Sequence, residues 1–376
     1  MKSYIVFLPT YLVLLLHLLI PVFSVNVSPI PENPASLRSW SATNIIPFKV
    51  RKNDIRGLEQ SLVDAESQEL VISVRQDGLG QFKTITEAID SIPWGNNRRV
   101  IIRIGPGVYK EKINIDQTKP FITFFGSKYQ MPKLTFHGTA AEYGTVDSAS
   151  VIVSSDYFMA VNVIFENSSP MPDGIRKGAQ AVAMRISGDK AAFYNCKFLG
   201  FQDTLCDDRG NHFFKDCYVE GTVDYIFGDG KSLYLNTELR SVAPDVAVIT
   251  AQARVEEKDD SGFSFVHCLV SGPGNSKTYL GRAWKQRAKV VFIYSDMGTV
   301  VNSEGWNDRG NFEADKTVFY GEYKCKGPGA NPTGRVKYVK MLTDEEVKPY
   351  LDINYINGSY WILPPPKFRG YKMLKP

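Results

Sequence analysis

The chain has 376 residues and a formal net charge of +4, from 44 basic and 40 acidic side chains. So mild an excess serves solubility and gives no case for a nucleic-acid partner. Its four histidines and five cysteines form no His-Glu-x-x-His or Cys-x-x-Cys, and no Gly-x-Ser-x-Gly occurs. The common zinc, dithiol and nucleophile-elbow serine sites are thereby excluded, and no metal or organic cofactor is expected.

Residues 1–24 read as a secretory signal peptide. Lys2 supplies the positive end, Tyr4–Ile20 the apolar stretch, and Val22-Phe23-Ser24 a small-residue cleavage site. A membrane anchor is the competing reading, but His17 and Pro21 interrupt a run already short for a span. No later stretch is long and apolar enough to cross a bilayer, so a secreted chain with no membrane partner is expected. Residues 25–70 contain Pro and Ser without clear periodicity and read as an N-terminal arm. Val71–Val74 looks like a first strand, followed by a turn at Asp77-Gly78-Leu79-Gly80. Thr84–Ile92 reads as a short helix: Thr84 can cap it, Glu87 sits three later, and Ile85, Ala88 and Ile89 form its apolar face. Such a helix suits the open end of a solenoid, which otherwise exposes a sheet edge.

From Val100 onward, short Val/Ile/Phe/Tyr runs alternate with Gly, Asn and Asp, a β pattern. Similar pieces recur around Asn162, Asn195, Asp216, Asn236 and His267, each placing a polar residue between apolar ones. Stacked Asn or Asp residues form hydrogen-bonded ladders in coiled β folds. The uneven spacing leaves longer loops, of which Ser168–Gly178 is one, and loops on one side of a solenoid build its cleft. The sharpest repeat sets residues 193–206, FYNCKFLGFQDTLC, against 214–227, FKDCYVEGTVDYIF. Cys196 meets Cys217, Gly200 meets Gly221, and Asp203 meets Asp224. Residues one coil apart stack at about 4.8 Å, so two carboxylates stand side by side. They cannot both ionise freely, and the pair becomes one acid and one base or nucleophile. Cys196 and Cys217 would be close enough to bridge; a disulfide and a stack of small buried side chains both remain open.

Further along, Arg282 and Trp284 lie two apart and face one side of a strand. An indole and a guanidinium suit an acidic sugar. His137, His212 and His267 are most simply structural or surface residues. Thr343-Asp344-Glu345-Glu346 is a capping box that opens a short helix. Residues 71–365 thus read as one elongated domain and 366–376 as a C-terminal tail. Glycosylation sequons occur at Asn26, Asn167 and Asn357, and Pro170 disfavours the second.

Five motifs in order resemble those of the plant pectinesterases: Gly107-Val108-Tyr109-Lys110-Glu111, Gln180-Ala181-Val182-Ala183-Met184-Arg185, Phe201-Gln202-Asp203-Thr204-Leu205, Val223-Asp224-Tyr225-Ile226-Phe227-Gly228 and Leu280-Gly281-Arg282-Ala283-Trp284. The resemblance spans roughly residues 70–365. It implies an all-β fold, a single-stranded right-handed parallel β-helix with short capping helices, that demethylates pectin to pectate and methanol in cell wall modification. It implies Asp224 as nucleophile, Asp203 as the acid and then base, Gln180 and Gln202 as oxyanion donors, and Arg282 as the group that orients Asp224. It implies substrate contacts at Ser150, Gln180, Phe227, Arg282, Trp284 and Trp306. The implied protein is a monomer in the plant cell wall whose partners are pectin and a proteinaceous pectinesterase inhibitor. Many plant relatives carry an inhibitor-like helical prodomain; residues 25–70 hold no cysteine and none is expected here. Cys206 stands where the family has tyrosine, Ala283 replaces proline, and Ser150 replaces a substrate-binding threonine. One tension remains, because Gln202 and Asp203 are adjacent and would point oppositely on a regular strand.

Two other readings compete. Another β-helix pectin enzyme, a lyase or polygalacturonase, would cleave the chain and need a calcium-binding carboxylate cluster or a pair spaced for a glycosidic bond. A catalytically dead pectin-binding protein would not need the aspartates, glutamines and arginine that this sequence keeps intact.

Overall fold

The computed structural model describes residues 28–51, 57–307 and 314–368. The segment expected to be a signal peptide, the sequon at Asn26 and the end of the tail lie outside them.

Three parallel sheets wind around one axis, with 11, 8 and 8 strands. Successive strands visit the first, second and third sheet in turn. Lys197–Leu199, for example, belongs to the second sheet, Leu205–Asp207 to the third and Asn211–Lys215 to the first. All pairings between strands of adjacent coils are parallel. This is the expected parallel β-helix. The first strand is Leu70–Val74, one residue longer than the sequence pattern gave.

One corner explains the recurring polar residue. Asn162, Asn195, Asp216, Asn236, His267, Tyr294 and Lys324 all take the left-handed conformation, with φ between +45° and +57°. Asn and Asp tolerate that region best. Their side chains also bond between coils: Asn195 donates to Asn162 and Asn236 to Asp216, each at 2.7 Å. The interior is filled by rows of like side chains. Phe193, Phe214, Tyr234, Phe265 and Phe292 stand in register. Their successive ring centroids are 4.4–4.7 Å apart. The spacing between strands is itself a good stacking distance, so the coil pitch and the aromatic row reinforce each other.

Cys196 and Cys217 belong to this interior as free, buried thiols, the second of the two alternatives. The helix Ile85–Asp90 closes the first coil with both bonds of its Thr84–Glu87 capping box formed. Thr343 and Glu346 form the second box, ahead of Asp344–Val347.

The arm differs from its expected character. Residues 28–66 carry the helices Leu37–Asn44 and Gln60–Glu66. Ile30, Leu37, Trp40, Ile45, Leu62 and Ala65 pack with Val347–Leu363 over the outer face of the first sheet. That face is apolar at Met159, Val161, Phe213, Leu233 and Ile293. The lead-in is therefore one half of a second core, and its pattern is weak because its helices are short and each buries only a few residues.

Candidate active site

The third sheet's strands Leu205–Asp207 and Ile226–Gly228 pair in register, Leu205 with Ile226. Asp203 and Asp224 precede them by the same two residues, on adjacent coils. The Asp203 amide donates to the Val223 carbonyl at 3.1 Å, and Leu205 to Tyr225 at 2.9 Å. Both aspartates are left-handed, at φ +65° and +52°. The backbone therefore bends at Asp203, which removes the tension over Gln202: the two side chains do not belong to one regular strand. The bend also explains the paired glycines. A Cβ on Gly221 would lie 2.2 Å from Tyr225 Cβ, and one on Gly200 would lie 2.9 Å from Thr204 Oγ1. Each turn folds back across its glycine.

Asp203 and Asp224 are only 8% and 7% exposed. Burial first, then the negative charge of Asp224, push the Asp203 carboxyl up from 3.8 to about 8, and the Arg282 guanidinium offsets part of the rise. Arg282 itself is ion-paired to Asp224. The two come from strands separated by a third, Ala247–Gln252. Phe227 pairs with Ala251, and Thr250 with Gly281, so Ala251 stands between Phe227 and Arg282. The sequence pattern did not reveal this register, because a loop at residues 242–246 interrupts the repeat.

Gln180 and Gln202 are half-exposed beside this pair. The Ala181 amide donates to the Gln202 carbonyl at 3.2 Å, which brings the two glutamine segments together. Gln180 lies four residues before the strand Met184–Ile186. Its carbonyl accepts from Ala140 at 2.8 Å, so the segment at 140–143 helps hold it.

Trp284 is 48% exposed, with its ring 5.8 Å from that of Phe227. Phe227 is buried with Ala149, Val182, Cys206 and Ala251 in a small apolar patch on the sheet's outer side. It supports Trp284 from beneath. Two expected substrate contacts sit elsewhere. Trp306 is fully buried. It pairs with Gly281, whose missing side chain leaves room for the indole, and its Nε1 donates to Glu322 at 3.1 Å. Ser150 is fully buried too; its hydroxyl donates to the Glu166 carbonyl at 2.7 Å and accepts from the Phe136 amide at 3.1 Å. Both are buried and hydrogen-bonded within the fold, away from the exposed face of Trp284. Burial and then the Asp208 charge raise the Cys206 thiol well above its ordinary value, so it is no nucleophile. Among the described residues no group of three or more His, Cys, Asp or Glu is arranged to hold a metal ion.

A parallel β-helix thus carries a buried carboxyl with a raised pKa next to a carboxylate ion-paired to an arginine, with two half-exposed glutamines on the adjoining segments. The chain belongs to the pectinesterase family, whose model matches residues 71–359. Pectinesterase 2 of Olea europaea is 54% identical over 346 residues, covering 92% of this chain and 93% of its own. The pectin methylesterase from carrot has the same fold, with a TM-score of 0.70 and 31% identity over 74% of this chain and 90% of that one. A pectin methylesterase solved in complex with a hexasaccharide gives a TM-score of 0.66 and 26% identity, over 78% of this chain and 98% of that one. The chain is thus a carboxylic ester hydrolase that demethylates pectin.

Proposed function

We propose that Asp224 attacks the carbonyl carbon of a methyl-esterified galacturonate residue and that Asp203 handles the protons. The attack forms a C–O bond to Asp224 and puts negative charge on the former carbonyl oxygen. The Gln180 and Gln202 amides donate to it, which is where neutral donors help most. The bond to the methoxy oxygen then breaks, and Asp203 gives its proton so that methanol leaves. The ionised Asp203 next takes a proton from water, and the hydroxide cleaves the acyl–Asp224 bond. Asp224 returns as a carboxylate, Asp203 is protonated again, and the galacturonate carboxyl is free.

One observation carries this reading: the buried Asp203 carboxyl, pushed up to about 8 by burial and the Asp224 charge, sits one coil from an Asp224 that is ion-paired to Arg282. Trp284 supplies a stacking face for the sugar, and Arg282 a charge at the same place. Secretion to the plant cell wall, action as a monomer on homogalacturonan and recognition by a proteinaceous inhibitor complete the reading. Of the two sequons among the described residues, Asn357 is exposed and suits a glycan. Asn167 is buried, with its amide bonded to the Gly138 and Val182 carbonyls, each at 2.9 Å.

The test is methanol release from methylated pectin beside a chain-length assay. Methanol without shortening is expected; shortening would favour a lyase or polygalacturonase. In Asp224→Asn, methanol release should fall on the order of a thousandfold or more while pectin binding survives, because an amide keeps the shape but cannot attack. A variant keeping most of the parent rate removes Asp224 from the nucleophile's role.

A further inference from the structure

Inside the coil lies a titratable cluster that takes no part in this chemistry. His212 and Asp207 are both fully buried. His212 Nδ1 is 2.5 Å from Asp207 Oδ1, and its Nε2 is 2.9 Å from the Gly188 carbonyl oxygen. Tyr234 donates its hydroxyl to Asp207 Oδ2 at 2.7 Å. A carbonyl oxygen only accepts, so Nε2 carries a hydrogen, and the contact between Nδ1 and Oδ1 holds a second proton. Burial pulls the imidazole's pKa down, but the charge and hydrogen bond of Asp207, the Gly188 carbonyl and the Asp189 charge outweigh it and raise it. The result is a dry pair with no net charge.

We propose that the His212–Asp207 pair is a positioning strut for the two active-site aspartates; this rests on the esterase reading above. The connectivity carries the argument. Asp207 ends the three-residue strand that begins just after the Asp203 turn. From residue 203 to 207 the chain spans about 13 Å at 3.3 Å per residue. The strand Ile226–Gly228 runs likewise from the Asp224 turn to the same place, where the Gly230 amide donates to the Asp207 carbonyl at 3.0 Å. The site is shaped for the pair: a Cβ on Gly230 would fall 2.1 Å from Asp207 Oδ1, and one on Gly228 would fall 2.0 Å from the Asp207 carbonyl oxygen. His212 lies in the first sheet, between Ala191 and Ser232 in register. One ion pair thus ties the far ends of both catalytic strands to a different wall of the coil. Strands this short have few ladder bonds of their own, so the anchored end decides where the other end points.

A buried ion pair is poor evidence for stability, since an apolar replacement often folds as well. Positioning is separable from stability, because misplacement by about 1 Å can cost a hundredfold in rate. The test uses the full secreted chain and its variants His212→Gln, Asp207→Asn, the double variant and Tyr234→Phe, assayed for methanol release well below their melting temperatures. For either single variant of the pair, kcat should fall about tenfold or more with KM within about twofold. The double variant should be little worse than the worse single one, as for residues acting as a unit. Tyr234→Phe should lose a few-fold in kcat. A folded His212→Gln with parental kcat and only a lower melting temperature overturns the strut. Should the pair variants not fold, Tyr234→Phe decides, and unchanged kcat there also overturns it. A parent chain that releases no methanol would instead sink the esterase reading, so the two failures are distinguishable.

Discussion

Arg282 is ion-paired to Asp224, and the chemistry of that contact favours arginine over lysine. A guanidinium is a planar fork of donors that fixes a carboxylate's direction, whereas an ammonium is a point charge on a flexible stem. Arg282→Lys keeps the charge and should still lose turnover on the order of a hundredfold, since orientation matters most as the bond forms. Steady-state kinetics on methylated pectin check this; unchanged kcat with a raised KM would make Arg282 a substrate contact only. Asp203 yields a second expectation, with its sign set by linkage. The unfolded chain releases the Asp203 proton near 3.8, but the folded protein keeps it to about 8. Between these values the folded state binds more protons, so rising pH favours unfolding. Asp203→Asn removes that penalty. The melting temperature of the variant minus that of the parent should therefore grow from pH 4 to pH 8 and then level off. A difference that stays flat across this window would mean that Asp203 ionises normally.

The two aspartate turns depend on what they fold over. Gly221→Ala would set its methyl 2.2 Å from Tyr225 Cβ and 2.6 Å from the Phe201 carbonyl oxygen. Neither neighbour is the free end of a side chain, so the cost should be about 3 kcal/mol, the upper end for overpacking, with activity lost alongside. Thermal melts and methanol release would reveal it, and parental values for both would show that the turn has slack. This element was legible beforehand because one offset aligns its cysteines, glycines and aspartates. The recurring polar residue at Asn162, Asn195, Asp216 and Asn236 was legible as a ladder between coils, but its left-handed backbone was not, because the repeat shows which residues stack and not the corner they turn. Ser150 and Trp306 were not legible. Which way a side chain faces depends on coil register, and Trp306 lies beside Gly281, which has no side chain to compete for the space. Arg282 and Asp224 lie 58 residues apart, and the strand between theirs, Ala247–Gln252, has an alignment that no repeat reveals.

At the scale of the molecule, the β-helix has two apolar surfaces to bury, its interior and the outer face of its first sheet. The interior is sealed at its start by the helix Ile85–Asp90. The outer face is sealed by residues 28–51, 57–66 and 343–363 from opposite ends of the chain. These ends are joined to each other and to the coil. Ile30 donates to the Leu351 carbonyl at 2.7 Å, Arg51 to that of Ser359 at 3.2 Å, and the Tyr194 hydroxyl to that of Leu363 at 2.7 Å. Arg99 is buried against Glu66 at 2.7 Å and also reaches the Tyr157 carbonyl at 2.7 Å. The aspartate turns open onto the third sheet, so this covering layer should matter to folding and little to the chemistry. Trp40 tests that division. It is buried in the layer, and its Nε1 donates to the Ser28 carbonyl at 2.7 Å. Trp40→Ala should destabilise the layer by about 3–5 kcal/mol, as for large aromatic truncations in a core. Limited proteolysis should then cut within residues 28–66 before the coil is touched, because weakly held segments open first. Methanol release by the intact variant should remain near the parent rate. Parental protease resistance would show that the layer does not hang on Trp40, and a large loss of kcat in intact, folded protein would show that the layer shapes the active site after all.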